Sequence, residues 1–121
     1  MSQAHQLSIS VTPGQTLASW AFDGAVDLEL CQVNQGDTIE FCFDGNPTIA
    51  ECVLISGQLG KGASRSPFNK PSPINLKANQ KLTVGKTNGL WGFMVAFSII
   101  NADGTTSFYC LPDPELQVGS T

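Results

Sequence analysis

The sequence predicts an all-β chain: one antiparallel β-sandwich of about seven to nine short strands, immunoglobulin-like or cupredoxin-like in outline, with little or no helix. Three observations predict it. Apolar residues recur with period two along most of the chain, which is the spacing of a strand with one buried face. Turn pairs such as Pro13-Gly14, Asp23-Gly24 and Asn88-Gly89 punctuate these runs at the spacing of short sandwich strands. No stretch holds a helical period. With 121 residues, the chain suffices for one domain, 1–121, and is too short for two ordinary ones.

The elements follow in order. Leu7, Ile9 and Val11 alternate with polar residues until Pro13-Gly14, and Trp20 and Phe22 alternate until Asp23-Gly24. Residues 25–33 and 38–43 predict a hairpin across Asn34-Gln35-Gly36-Asp37. In that register Val26, Leu28, Leu30, Ile39, Phe41 and Phe43 share a buried face, while Asp27, Glu29, Cys31, Thr38, Glu40 and Cys42 share the other. Asp44-Gly45-Asn46-Pro47 turns the chain into Ile49–Ile55, whose run Cys52-Val53-Leu54-Ile55 predicts burial on both faces. Residues 56–73 form a long loop rich in Gly, Ser and Pro, and loops of that length are usually functional or mobile. Short strands are predicted around Ile74–Leu76 and Lys81–Val84. Leu90–Ile100 is predicted as a central strand, with Trp91, Phe93, Val95, Phe97 and Ile99 opposite Met94, Ala96 and Ile100. Asn101-Ala102-Asp103-Gly104 returns it to an antiparallel partner, Thr106–Leu111. Residues 112–121 are an extended C-terminal tail, stiffened by Pro112 and Pro114.

Composition narrows the function. The chain is 41% hydrophobic and 13% charged, about half the usual charged fraction. That excludes a disordered acidic tail, a coiled coil and a charge-laced helical bundle. No apolar run approaches the ~18 residues of a membrane span, so no membrane partner is expected. The first residues, Met1-Ser2-Gln3-Ala4-His5-Gln6, carry no basic side chain and do not look like a secretory signal. A cytoplasmic location is therefore expected, with Cys31, Cys42, Cys52 and Cys110 as reduced thiols. The net charge of −4 is unevenly spread: all six basic residues lie between positions 52 and 102, where there is no acid. Six scattered charges are too few for a nucleic-acid stripe.

The same residues exclude much chemistry. The single histidine, His5, is expected in a frayed terminus, where no third group would hold its imidazole for nucleophilic catalysis. The cysteines form no Cys-x-x-Cys, so the zinc pattern is absent. In the predicted hairpin, Cys31 and Cys42 are diagonal neighbours at about 7 Å, too far for an unstrained disulfide. Asp23, Asp44 and Asp103 sit singly at turns, without the alternating carboxylates of a calcium loop. Ser56–Ser64 resembles a phosphate loop but lacks its spacing, and Gly62 follows Lys61 where Ser or Thr should bind magnesium. No metal and no cofactor is expected. Two candidates remain: Lys61, Arg65 and Lys70 as anion contacts on the 56–73 loop, and Asp113 and Glu115 as an acidic lip flanking Pro114.

Two stretches resemble known families. Val33-Asn34-Gln35-Gly36-Asp37-Thr38-Ile39-Glu40-Phe41 is similar to the cupredoxin and immunoglobulin-like phrase in which a Gly-Asp turn opens a strand. Cupredoxins hold copper with two histidines, a cysteine and usually a methionine; Cys110 is in a suggestive place but the histidines are absent, so the similarity implies fold and no copper. The chain length and its Phe108-Tyr109-Cys110-Leu111-Pro112-Asp113-Pro114-Glu115 ending resemble the small bacterial DP-EP family, whose function is uncharacterised. Asp113-Pro114 and Glu115 match its Asp-Pro and Glu-Pro signature, while Leu116 stands where the second proline is expected. The resemblance implies no activity. The residues therefore point first to a non-enzymatic binding or self-assembling module, a homo-oligomer that covers its sheet edges. The alternatives are a small-anion binder or enzyme using the 56–73 loop, and a secreted recognition domain with disulfides.

Overall fold

Strands form where the period-two pattern is strongest. The computed structural model describes residues 2–12, 15–26, 30–58, 66–70, 72–111 and 115–119, and among them there are ten strands and no helix. In β1 (Ala4–Ser10) Leu7 and Ile9 point inward, and β1 pairs antiparallel with β2 (Ser19–Phe22). Asp23-Gly24 then makes a two-residue turn in which Phe22 and Ala25 exchange both backbone hydrogen bonds, each 2.9 Å. Both turn residues have positive φ, 50° and 82°, the geometry that selects Asp-Gly. The remaining strands are β3 (Cys31–Val33), β4 (Thr38–Phe43), β5 (Thr48–Gln58), β6 (Ile74–Asn75), β7 (Gln80–Thr83), β8 (Gly89–Ile100), β9 (Thr106–Leu111) and β10 (Glu115–Val118).

They form two sheets. One has the order β2-β1-β4-β7; the other runs β3-β10-β8-β5-β6, with β9 also on β8. Strands β10 and β9 lie end to end along the same side of β8: Glu115–Val118 pairs with Gly89–Gly92, and Thr106–Leu111 with Val95–Ile100. The inward residues of both sheets make one core, including Leu7, Ile39 and Phe41 from the first and Leu54, Trp91, Val95 and Leu116 from the second. Phe43 and Phe97 meet across it edge to face at 5.0 Å. Bulge geometry keeps β5 in phase with this core. The register shifts between Ile49 and Glu51, so Ile49, Cys52 and Leu54 face the same side although 49 and 52 differ by an odd number.

Several expectations are corrected. The sheets are mixed rather than purely antiparallel, because β1 and β4, and β3 and β10, pair in parallel. The predicted hairpin across Asn34–Asp37 does not form. That turn instead carries the chain from β3 in one sheet to β4 in the other, and a connection between sheets imposes no antiparallel pairing. β3 is accordingly short and in the opposite phase: Cys31 and Val33 are buried, while Val26 and Leu30 are exposed. Leu28 lies outside the described residues. Cys31 and Cys42 consequently belong to different sheets, and all four cysteines are free thiols. The strand count among the described residues is ten, because Glu115–Val118, expected as part of an extended tail, pairs between β3 and β8 as β10. Burial on both faces does not hold for β5, since Ile55 is exposed, while β8 is a central strand as expected, with Met94, Ala96 and Ile100 exposed on its outward face.

The two long non-repetitive segments are partly described. Ser56–Gln58 still belongs to β5, residues 59–65 lie outside the described residues, and Phe68 packs into the core at 6.1 Å from Phe41. In the 112–121 segment, Glu115–Val118 is the strand between β3 and β8, with Leu116 and Val118 fully buried. Gly119 follows with φ +68°, and a Cβ there would lie 2.5 Å from Asn88 Oδ1. Gly119→Ala is therefore expected to cost about 1–2 kcal/mol in backbone strain, plus whatever displacement of Asn88 requires. Chemical denaturation that leaves the midpoint unchanged would contradict this.

Candidate functional site

Among the described residues, the chemistry-bearing side chains gather around His5. His5 shares its phase in β1 with Leu7 and Ile9, so its ring turns inward and stacks on Phe22 at 5.2 Å. Its Nδ1 lies 2.7 Å from Asp23 Oδ2 and its Nε2 2.9 Å from Asp37 Oδ2. Ionised carboxylates only accept, so this geometry favours the protonated ring, in which both nitrogens donate. Asp37 is 1% exposed and also accepts from the Gln3 and Asn34 backbone N–H groups, while Asp23 accepts from Gln6 N–H. Burial alone would lower the His5 pKa, but the hydrogen bonds and charges of Asp23 and Asp37 outweigh it and raise it above 6.5. Burial would raise the Asp37 pKa, but its bonds from Asn34, Gln3 and His5 hold it below its ordinary 3.8.

This cluster is a clamp rather than an acid–base site. A base needs a free lone pair on nitrogen, and here both nitrogens are engaged. What it does is fasten the start of β1 to the turns before β3 and β4. The expectation of a frayed His5 is thereby corrected. The signal was in the sequence, where positions 5, 7 and 9 share one strand face. Two of the thiols are equally unsuited to nucleophilic work, since burial pushes Cys31 and Cys52 up to about 12.

The two sheets differ sharply on their outward faces. The four-stranded sheet presents Gln6, Ser8, Thr38, Glu40, Lys81 and Thr83, an ordinary wet surface in which Glu40 stands opposite Lys81. The six-stranded sheet presents Val53 and Ile55 from β5, Met94, Ala96 and Ile100 from β8, and Phe108 from β9. Ile55, Met94, Ile100 and Phe108 are 48%, 38%, 43% and 74% exposed. Residues 16–18 extend this face: Leu17 bridges to Cys110, with Ala18 N–H donating to Cys110 C=O, and Leu17 is 57% exposed. Small side chains on β8 leave a depression of about 220 Å³ lined by Glu51, Val53, Ala96, Ser98 and Phe108 among others. Across the outward positions of β5, β8 and β9 there is one charge, Glu51.

The sequence-derived candidates sit elsewhere. Lys61 and Arg65 lie outside the described residues, as does Asp113. Lys70 is exposed near the edge of the four-stranded sheet, just past Asn69, whose N–H donates to Thr83 C=O. Glu115 is half-buried on β10, opposite Gly92. No group of three or more His, Cys, Asp or Glu among the described residues is arranged to hold a metal ion, and no helix there is long and apolar enough to cross a membrane. Compared with known protein families and with characterised proteins, the chain matches none.

Proposed function

We propose that this chain is a non-enzymatic binding module, a β-sandwich in outline, whose working surface is the outward face of its six-stranded sheet. One observation carries this reading: that face sets the pair Ile55 and Met94 at one end and Ile100 and Phe108 at the other in water, joined by Val53 and Ala96, whereas the other sheet faces water with hydroxyls, amides and charges. Isolated exposed apolar residues are normal, but a contiguous patch of several large ones marks an interaction site. The sandwich outline rests on the core shared by the two sheets and on the Phe43–Phe97 contact across it. The non-enzymatic part rests on the engaged His5 ring and the burial of Cys31 and Cys52.

The test is binding of an anilinonaphthalene-type dye to native protein diluted until it sediments as a monomer. The wild type should enhance its fluorescence, and Ile100→Thr with Phe108→Ser should abolish most of that enhancement. Because both residues are solvent-facing, the double variant should unfold within about 1 kcal/mol of wild type. Equal dye binding by the two proteins would remove this face as the working surface.

A further inference from the structure

We infer that the occupant of this face is a second copy of the chain, docked across a two-fold axis that runs between β8 and β9. The inference rests on the reading of this face as a binding surface and names its partner. Its main support is a knob beside a hole. Phe108 is the most exposed of the large apolar side chains, and the 220 Å³ depression over Ala96 and Ser98 lies one strand away on the same face, in the same row, because Ser98 pairs with Phe108. A two-fold axis exchanges neighbouring positions, so one between β8 and β9 seats each copy's Phe108 over the other's depression. Such a patch is self-complementary, as an isologous interface must be.

Area and charge agree with that occupant. Leu17, Ile55, Met94, Ile100 and Phe108 leave roughly 500 Å² of apolar surface in water, so two copies pool about 1,000 Å² before any rim is counted, the threshold of a stable interface. Two sheets stack face to face at ~10 Å with their strands nearly aligned. Glu51 lies on β5, on the far side of β8 from the axis. Its two copies are therefore about three strand spacings apart, or ~14 Å, beyond the Debye length at physiological salt. The other acid on this face, the half-buried Glu115 of β10, stands opposite Gly92, four residues along β8 from Ala96 and beyond the depression.

The test places charge at Ala96, an exposed position at the floor of the depression. In sedimentation equilibrium the wild type should be a dimer. Ala96→Glu and Ala96→Lys should each be monomeric, with wild-type circular dichroism, and an equimolar mixture of the two should recover a dimer. A wild type monomeric over the whole concentration range overturns the inference, as does a dimer that persists in Ala96→Glu. The dye assay separates the two readings: a monomeric wild type that still binds dye at this face has a different partner, while one that does not loses the working surface as well.

Discussion

Asp37→Ala is expected to destabilise the folded chain by about 3–5 kcal/mol, the cost of removing one partner from a buried ion pair. The side chain is almost wholly inaccessible, and its loss strips acceptors from His5 Nε2 and from the backbone N–H groups of Gln3 and Asn34. The effect carries a pH signature. His5 titrates above its ordinary 6.5 when folded, so its contribution is complete below that pH and disappears as pH rises through the folded value. Asp37 titrates below its ordinary 3.8 when folded, so its contribution is complete above that pH and disappears as pH falls through the folded value. Both are present together between about pH 4 and 6.5, where stability should be greatest. Asp37→Asn removes the ionised group with little change of shape and should flatten the profile at both ends. Thermal melts of the wild type that are level from pH 4 to 9 would show that the clamp contributes nothing.

Phe97→Ala should cost about 3–5 kcal/mol, the range for truncating a buried aromatic. The ring is buried, meets Phe43 across the two sheets at 5.0 Å and stacks on Tyr109 at 5.5 Å. Deleting it opens a cavity where the sheets touch, and neither sheet's hydrogen-bonded frame can close inward to fill it. Phe97→Leu keeps most of the volume and should lose much less, so the series remains measurable if the alanine variant does not fold. Combined with Phe43→Leu in a double-mutant cycle, the ring pair should show about 0.5–1.5 kcal/mol of coupling. Strict additivity in denaturant melts would mean that the rings are neighbours without interaction.

Much of this was legible from residue order alone, because period two is a local property. The inward sets Leu7/Ile9, Ile39/Phe41/Phe43 and Trp91/Phe93/Val95/Phe97/Ile99 are those of the structure. The Asp23-Gly24 turn and the β8–β9 hairpin also stand where their residues place them. The misplacement of the 25–33 segment has one cause. Asn34-Gln35-Gly36-Asp37 is a turn, as expected, but turn chemistry does not say whether the chain continues in the same sheet. The 25–33 segment was consequently assigned the phase that a hairpin would demand. The run Cys52-Val53-Leu54-Ile55 predicts a strand covered on both sides, yet within one chain Ile55 lies open, as do Met94 and Ile100 on the same face.

Residue order therefore specified the strand class of this protein, most of its turns, the side chains that must leave water, and a shortage of groups able to do acid–base work. Pairing and partnership were decided in three dimensions. Neighbouring strands are chosen by packing between segments distant in the chain, such as β1 with β4 and β3 with β10. The His5 clamp likewise exists only because two turns far apart in the chain meet at the first strand. A side chain's alternation records that its strand has two faces; only the assembled sheets determine which of them meets the core and which is left for something else to cover.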